Sequence, residues 1–427
     1  MKIVILGGGL TGLTAAYELS SKHEVVLLEK ENMLGGLASG FKGGGWNWFL
    51  ERTYHHVFSN DTDILGFAKK VGFTGFFTKS PQTVSLYNDK NNYRTFSVDT
   101  PQDFLRFPLL SIPEKIRSGA VLAFLKLSPA LSSFERQTAA EFLKKSMGER
   151  VWSVLWEELF RKKFGKNAEN ILASFIWARI KKRTKNLCYV EGGFQAFVEF
   201  LRKKNIERGV VIKTGSTIHK IHKSTKFEVS FSSREKGEER GSFDAVLSTL
   251  PTPVFLNISR HQLPDNYVRR LAGITYLHAV SLILEAERPL FDTEYWVSMC
   301  DKKAPMMVLV QHTNFIDKKN YNNHHILYIA NYVEEENPLL QMTQKEVEDY
   351  HVPYLQKIKA GFSFSNSFLF RAPFAQPIYN REFPKNMPTL ETPVKNLFIA
   401  NLDMTYPFDR GTNYAVQLGK KAASCMV

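Results

Sequence analysis

The chain has 427 residues, well beyond the ~150 residues of one typical domain, so its length favours two closely packed domains. Hydrophobic residues make up 44% and charged residues 23% of the sequence, which is ordinary for a soluble protein and argues against disorder. The formal net charge of +14 favours contact with an anionic molecule: a phosphorylated cofactor, an acidic substrate, a lipid headgroup or nucleic acid.

The cysteine pattern and the apolar runs indicate the cellular compartment of the protein. Cys188, Cys300 and Cys425 lie far apart and form no C-x-x-C pair, which argues against a disulfide framework and predicts no bound metal. The apolar start of the chain breaks into glycines at Gly7 without a cleavage pattern, so we expect no signal peptide. Since no segment has ~18 consecutive apolar residues, we expect a cytoplasmic protein whose membrane contact would be peripheral.

The first elements predicted along the chain form a strand-helix-strand unit. Residues 2–6 read as a buried strand, residues 10–21 as a helix and residues 24–29 as a second strand, because the apolar spacing changes between them. From Asp61 to about Ile180 the pattern turns mainly helical, with several proline breaks. We interpret this second segment as an inserted cap.

Extended segments return later in the chain. They are Val210–Lys213, Thr217–Ile221, Phe227–Phe231, Ala245–Leu250, Ala279–Leu284, Met306–Gln311, His325–Tyr332 and Asn396–Ala400. The first four and the last are predicted to rejoin the strand-helix-strand domain, and the other three to form a sheet in a separate domain. A closing helix is predicted from about Gly411.

These elements predict an α/β fold with two domains. A Rossmann-like domain would be assembled from residues 1–65, 186–260 and 385–427. Residues 66–185 and 261–384 would form an inserted α+β domain that shapes a substrate pocket.

A glycine-rich turn follows the first predicted strand. Residues 7–12 satisfy G-x-G-x-x-G, which is a weak signal alone but is typical of dinucleotide binding between a strand and a helix. Gly7 permits the tight turn, Gly9 lets a pyrophosphate approach the backbone, and Gly12 lets the helix pack on the sheet. The predicted cofactor contacts of this turn are Gly7, Gly9, Leu10, Thr11 and Gly12.

An acidic residue ends the second predicted strand. Glu29 stands about 20 residues after the glycine turn, where a carboxylate accepts both hydroxyls of the adenosine ribose. It would repel a 2′-phosphate, so NADP is disfavoured. FAD and NAD remain open on these residues alone because both carry the same ADP group.

The segment that begins at Glu29 favours FAD over NAD, because it resembles a motif of a known family. Glu29–Leu37 resembles the E-x5-G-G extension of the superfamily of FAD-dependent amine oxidases, protoporphyrinogen oxidases and phytoene desaturases. The resemblance implies FAD, a fold of the two-dinucleotide-binding-domain type, and a second stretch of backbone against the cofactor. The contacts that it implies in this segment are Lys30, Gly35, Gly36 and Leu37.

Later motifs resemble the same family, in family order, over nearly the whole chain. Val190–Gln195 resembles the family's second glycine-pair helix start, and the strand at Thr217–Ile221 implies an adenine contact through Ile218. Phe243–Pro251 resembles the family's strand that leads into the cofactor site. The closing Gly-Asp pair is replaced here by Asn401-Leu402-Asp403, so the ribityl contact falls to Asn401 or Asp403.

The closing helix is implied to meet the flavin. Leu397–Asn401 and Gly411–Val416 resemble the family's last flavin motif, and a helix N-terminus aimed at the ring stabilises negative charge there. The implied contacts are Gly411, Thr412, Asn413 and Tyr414. No cysteine stands in this motif, which predicts that FAD is bound non-covalently.

Three residues are candidates for the reacting region. His55 and His56 fall where family members run a strand along the flavin. Because neighbouring residues on a strand point to opposite faces, at most one of them should face the ring. Arg410 precedes the closing helix and is predicted either to bind an acidic substrate group by a bidentate contact or to pair with Asp409 and set the loop.

The favoured function is oxidation of a C–N or C–C bond of a small molecule, acidic or amphiphilic, by hydride transfer to FAD. One alternative is a flavin-dependent mutase resembling UDP-galactopyranose mutase. Another is a lipid- or nucleic-acid-binding scaffold, motivated by the basic runs Arg161–Lys163 and Lys181–Arg183. We expect no nucleic acid as a partner, because no RNA-binding signature accompanies these charges. The apolar stretch Phe104–Leu131 is either a substrate entrance touching an anionic membrane or a buried cap helix.

Overall fold

The computed structural model describes residues 1–90, 92–233 and 237–426. The helices in this part of the chain are α1 (Leu10–Leu19), α2 (Thr62–Val71), α3 (Pro101–Arg106), α4 (Ile112–Leu127), α5 (Ala139–Met147), α6 (Glu149–Leu155), α7 (Glu157–Phe164), α8 (Ala173–Lys182), α9 (Phe194–Glu207), α10 (Thr252–Ser259), α11 (Asp265–Ala272), α12 (Gln344–Ile358), α13 (Phe383–Asn386) and α14 (Thr412–Cys425).

The strands in the same ranges are β1 (Lys2–Leu6), β2 (Glu24–Leu28), β3 (Gly40–Phe41), β4 (Leu50–Glu51), β5 (Val57–Phe58), β6 (Phe76–Lys79), β7 (Gln82–Asp89), β8 (Asn92–Phe96), β9 (Leu187–Val190), β10 (Val211–Lys213), β11 (Ser216–Lys223), β12 (Phe227–Ser233), β13 (Gly237–Phe243), β14 (Ala245–Ser248), β15 (Tyr276–Ala286), β16 (Glu294–Met299), β17 (Val308–Gln311), β18 (His325–Val333), β19 (Asn366–Pro377) and β20 (Leu397–Ile399).

A five-stranded parallel sheet organises the first part of the fold. Its order is β10-β2-β1-β14-β20, which in chain order is the 3-2-1-4-5 arrangement of a Rossmann sheet. The strands β1, β2, β14 and β20 are nearly all buried, because α1, α9 and α14 cover one face of the sheet and the three-stranded sheet β11-β12-β13 covers the other. Burial on both faces explains their continuous apolar runs. The strand order reverses at β1, so a crevice opens beyond the carboxyl ends of β1 and β14.

Close helix packing fixes the closing helix against the first one. A Cβ placed on Gly419 of α14 would lie 2.6 Å from the backbone oxygen of Thr11 and 2.7 Å from Cβ of Thr14. Only a glycine permits this approach without moving one helix. The beginning of α14 is thereby held near the crevice.

A seven-stranded mixed sheet forms the second layer, in the order β19-β15-β18-β17-β16-β7-β8. Strands β7 and β16 are parallel, and the other neighbours are antiparallel. Side chains alternate across this sheet: Ile283 packs into the core that it shares with the parallel sheet, whereas Leu282 and Leu284 pack into a separate core with residues of α12. One face of the sheet therefore closes over the crevice.

The predicted strands and the strand-helix-strand unit are confirmed. The parallel sheet takes its strands from residues 1–65, 186–260 and 385–427, and the seven-stranded sheet from residues 66–185 and 261–384. We propose the same division as the domain boundaries.

The segment from Asp61 to about Ile180 is mainly helical, as predicted, but it also contains strands that the sequence did not predict. This segment contains α2 to α8 but also β6, β7 and β8, and the last two extend the seven-stranded sheet. Strand β8 lies at the sheet edge and has no buried residue. Because the polar residues of this edge strand leave no alternating apolar pattern, its sequence did not predict a strand.

Among the described residues, every helix is too short or too polar to cross a membrane.

Candidate cofactor and substrate site

A cavity of about 690 Å³ occupies the crevice between the parallel sheet and the seven-stranded sheet. Its lining includes residues that directly follow the parallel strands: Gly7 after β1, Glu29 after β2, Thr249 after β14 and Asn401 after β20. The carboxyl ends of parallel strands meet at one edge of the sheet, which is where ligands bind in this fold.

Two glycine turns meet at this edge. The backbone N–H of Gly35 donates to the carbonyl oxygen of Gly8 at 2.9 Å, and a Cβ on Gly36, which has a φ of +56°, would lie 3.3 Å from Cα of Gly9. A Cβ on Gly9 would meet only Cα of Gly36, at 3.9 Å, which is an ordinary van der Waals contact. The two turns thus form a backbone floor with open space above Gly9, which suits a pyrophosphate.

Glu29 is held at the end of β2 with its carboxylate buried. One carboxylate oxygen accepts the N–H of Gly8 at 2.7 Å and the other accepts the N–H of Glu31 at 2.9 Å. Each carboxylate oxygen accepts more than one hydrogen bond, so the carboxylate still has capacity for ribose hydroxyls in the cavity that it lines.

Asn401 and Asp403 differ in how their side chains are used. The amide nitrogen of Asn401 donates to the carbonyl oxygen of Leu250 and to Oγ1 of Thr252, and its Oδ1 accepts the N–H of Asp403. Asp403 accepts Thr252 and Tyr276 at one oxygen, while its buried Oδ1 has no partner in the described part of the chain. We therefore propose Asp403 for the ribityl contact.

The environment of Asp403 is apolar enough to affect its titration. Burial raises the pKa of its carboxyl to about 6, although the hydrogen bonds from Thr252 and Tyr276 oppose the shift. An unpaired buried acceptor costs free energy unless a ligand supplies a donor. A hydroxyl-bearing cofactor chain would supply that donor.

The closing helix presents Gly411, Thr412 and Tyr414 to the cavity. The Thr412 hydroxyl is buried and finds no hydrogen-bond partner among the described residues. The ring of Tyr414 stacks on that of Phe408, with centroids 5.0 Å apart and planes at 8°. The predicted position of this helix is thus consistent with a ligand at its N-terminus.

Most predicted cofactor residues line the cavity. These are Gly7, Gly9, Leu10, Thr11, Glu29, Lys30, Gly35, Gly36, Leu37, Asn401, Asp403, Gly411, Thr412 and Tyr414.

Three predicted contacts lie away from the cavity walls. A Cβ on Gly12 would clash with the backbone oxygen of Gly7 at 2.1 Å, so Gly12 serves helix packing. Asn413 accepts two N–H groups at the start of α2, with its Oδ1 2.9 Å from the nitrogen of Asp63. Ile218 packs against a hydrophobic core. The packing role of Gly12 is the one that the motif predicts, whereas the roles of Asn413 and Ile218 are visible only in the structure.

Both candidate histidines line the cavity, and that at most one of them faces the flavin ring stays a prediction. Residues 52–56 connect two short strands and are not themselves a strand, so the alternation of strand side chains does not apply. Nδ1 of His55 lies 2.7 Å from the carbonyl oxygen of Thr53. A carbonyl only accepts, so Nδ1 carries the proton and Nε2 is a free acceptor.

The histidines are neutral at pH 7. Burial lowers the pKa of His55 to about 3, with a further lowering by Arg410. Burial lowers the pKa of His56 to about 4, and Arg179 and Arg183 add to the shift. Desolvation disfavours the charged imidazolium, so neither ring is a cationic acid in the free enzyme.

Arg410 does not pair with Asp409 through its side chain. Asp409 instead accepts Lys163 at 2.6 Å and Arg179 at 3.2 Å. Burial favours a raised pKa for Asp409, but these cations outweigh it and hold the pKa below its usual value. The Arg410 guanidinium lies 5.0 Å from the ring centroid of Tyr332, and its Nη1 has no partner among the described residues.

Sequence reasoning missed several lining residues: Arg52, Tyr54, Lys163, Arg179, Trp296 and Tyr332. The basic runs were interpreted as one binding surface, but their side chains point to different places. Lys182 and Arg183 line the cavity, whereas Nζ of Lys181 donates to the carbonyl oxygen of Ser128. The spacing of Arg179 and Lys182 places them on one face of α8, and Arg183 follows the last residue of the helix. That this face lines the cavity depends on the packing of α8.

Residues 10–427 match the model of the family described as flavin containing amine oxidoreductase. The chain belongs to this family. The protein is therefore an FAD-dependent oxidoreductase, and the unpaired acceptor of Asp403, the glycine floor and the buried Glu29 carboxylate fit FAD in the cavity.

Two solved structures share the fold over the whole chain. A protein of Exiguobacterium sp. 255-15, provisionally described as a protoporphyrinogen oxidase, has a TM-score of 0.75 at 15% identity, covering 100% of this chain and 98% of that one. Cyclohexylamine oxidase of Brevibacterium oxydans has a TM-score of 0.74 at 13% identity, with coverage of 100% and 98%. Both confirm the predicted fold class.

Curated relatives match over shorter stretches. The carotenoid phi-ring synthase of Chlorobaculum tepidum is 30% identical over 144 residues, which cover 32% of this chain and 22% of that protein. The matched regions of such relatives span between 22% and 49% of their length. Their activities are therefore not transferred to this flavoprotein.

Gly9 and Gly12 provide a matched pair for testing the cofactor site. Gly9 has a φ of −73°, which alanine adopts freely, so Gly9→Ala should fold normally but weaken FAD binding at least about tenfold, because the methyl group occupies pyrophosphate space. Gly12→Ala should instead destabilise the fold by about 1–3 kcal/mol through overpacking. Thermal unfolding of the apoprotein and FAD fluorescence titration separate the two effects. Normal FAD affinity in Gly9→Ala would contradict the proposed site.

Proposed function

We propose that this enzyme oxidises a C–N or C–C bond of a small-molecule substrate by hydride transfer to N5 of the flavin. The observation that carries the proposal is the continuity of the cavity. The glycine floor lines one end, and His55, His56 and Trp296 line another part of the same space. A substrate beside the flavin would therefore be enclosed by side chains of this chain. The family match supports neither the mutase nor the scaffold alternative.

His55 suits substrate positioning better than proton removal. Its Nε2 is a free acceptor because Nδ1 donates to Thr53, and it can orient an N–H or O–H group of the substrate. A pKa of about 3 makes the ring a weak base, and efficient bases have a pKa near the working pH. We therefore assign His55 to orientation of the reacting bond.

The N-terminus of α14 and the aromatic lining of the cavity favour the negative charge that a flavin gains when it accepts a hydride. The first-turn N–H groups of α14 begin at the cavity wall, where a helix N-terminus stabilises negative charge. Aromatic side chains of Tyr54, Trp296 and Tyr332 line the cavity and exclude water. Electrostatic interactions are stronger in a site with little water.

Arg410 is the proposed substrate-binding cation. Its Nη1 is buried without a partner in the described residues, and Asp409 is already neutralised by two other cations. Guanidinium groups bind carboxylates and phosphates by two parallel hydrogen bonds. An acidic group of the substrate would satisfy Arg410.

We predict that at least one acidic small molecule reduces, and so bleaches, the flavin under anaerobic conditions. Arg410→Lys should raise the KM of that compound at least about tenfold with normal FAD content, because a lysine cannot donate the two parallel hydrogen bonds of a guanidinium group. Arg371→Lys is the control. Arg371 also lines the cavity, but its guanidinium donates to the carbonyl oxygens of Leu339 and Met342. Equal KM values in the two variants would exclude Arg410 as the substrate cation.

We also propose that an exposed apolar surface binds an anionic lipid bilayer. Seven of the eleven exposed large hydrophobic side chains in the described residues lie between residues 98 and 127. They are Val98, Leu105, Leu109, Ile112, Ile116, Phe124 and Leu127. This concentration argues against a cap helix buried on the core. Helix α4 buries only Lys115, Ser118 and Leu125.

Charge and position support this membrane surface. Arg106, Arg117 and Lys126 are exposed beside it, which suits acidic headgroups. Nζ of Lys126 donates to the carbonyl oxygens of Lys181 and Arg183, and Arg183 lines the cavity. The surface therefore adjoins the cavity mouth, so a substrate could enter from the lipid.

Liposome flotation tests this surface. The protein should float with vesicles that contain acidic phospholipid at low salt, and Phe124→Asp with Leu127→Asp should abolish flotation, because charged side chains resist burial in the bilayer. Ile206→Asp is the control, since Ile206 is 51% exposed on α9 and lies outside this surface. Flotation that survives the double substitution, or that fails in the wild type, would rule out membrane docking here.

A further inference from the structure

The end of the cavity away from the glycine floor is rich in cations. Six cationic side chains line it, against three carboxylates, Asp61, Asp99 and Asp409. The cations are Lys163, Arg179, Lys182, Arg183, Lys185 and Arg410. A concave surface with excess positive charge attracts and concentrates anions.

The carboxylates neutralise only some of these cations. Asp409 accepts Lys163 and Arg179, and Asp99 accepts Arg183. Asp61 accepts the N–H of Phe58. Lys182 opposes the rise in the pKa of Asp61 that burial causes, but no carboxylate in the described ranges forms an ion pair with it. Lys182 is half-buried, and its Nζ lies 5.8 Å from the ring of Phe408 and 5.9 Å from that of Tyr414.

The cation cluster is close to the reacting part of the cavity. Arg179 and Arg183 both depress the pKa of His56, and the ring near Lys182 belongs to Tyr414, in the first turn of α14. An anionic group bound by these cations would therefore place the rest of the substrate beside the proposed flavin position.

The same end of the cavity has an apolar wall. It is lined by Trp156, Leu159, Phe160, Phe164, Phe175 and Ile176. Aromatic and aliphatic walls favour an apolar ligand body, because contact removes apolar surface from water. The two features together describe a ligand that is anionic at one end and apolar along its length.

We propose that the substrate is an apolar molecule carrying a phosphate group, and that Lys182, Arg179 and Arg183 bind the phosphate at the cavity mouth. This inference rests on the proposed oxidation and specifies its substrate class. A phosphate with about two negative charges matches the excess of cations better than a carboxylate with one. Guanidinium and ammonium groups are the usual protein partners of phosphate oxygens.

Calorimetry on the FAD-loaded protein tests the phosphate site without turnover. The probes are decyl phosphate below its micelle concentration, decanoate and inorganic phosphate. Decyl phosphate should bind at least about tenfold more tightly than either of the others, because inorganic phosphate lacks the apolar chain and decanoate presents only one negative charge to the cations. Lys182→Gln should weaken decyl phosphate binding about tenfold, the loss expected for one charge-assisted hydrogen bond.

Lys181→Gln is the matched control, because Lys181 is adjacent in sequence but donates to Ser128 and lies over the ring of Trp177. It should leave decyl phosphate binding unchanged, and both variants should keep normal FAD content. Equal affinities in the two variants, or a wild type that binds inorganic phosphate or decanoate as tightly as decyl phosphate, would overturn the inference. Calorimetry measures binding and does not depend on reduction of the flavin. If decyl phosphate binds as predicted but no compound reduces the flavin, the proposed oxidation is overturned and the phosphate site is not.

Discussion

The close backbone approach of two glycine turns is the constraint on which the site depends. Gly35 donates to the carbonyl oxygen of Gly8 at 2.9 Å, and a Cβ on Gly36 would lie only 3.3 Å from Cα of Gly9. Because this contact lies where the strand order of the parallel sheet reverses, it forms the floor of the crevice. Glu29, the N-terminus of α1 and Asp403 are arranged around that floor, so the cofactor end is built mainly from backbone.

Burial determines the chemistry at the other end of the cavity. It keeps His55 and His56 neutral and leaves charge to the arginine and lysine side chains. Asp409 neutralises Lys163 and Arg179, whereas Lys182 and Arg410 have no such carboxylate among the described residues. Of the proposed substrate cations, Lys182 and Arg410 are therefore the ones without an ion pair in the described residues, whereas Arg179 and Arg183 also pair with Asp409 and Asp99.

The sequence predicted the parallel sheet because its strands are continuous apolar runs next to a recognisable turn. It missed β8, whose edge position leaves no apolar period, and it placed His55 and His56 on a strand, whereas residues 52–56 are not one. Resemblance could not separate Asn401 from Asp403, since that choice depends on which side chain the fold already satisfies. Likewise, only the packing of α8 distinguishes Lys182 from Lys181.

The central claim is that this cavity binds FAD non-covalently, and acid precipitation of the purified protein tests it most directly. No cysteine of the described residues lines the cavity, so no thiol is placed to hold the flavin. We predict a yellow protein that releases about one FAD per chain into the acid supernatant, identified by chromatography against FAD and FMN standards. A colourless protein that does not take up FAD, or flavin that stays with the precipitate, would contradict the account.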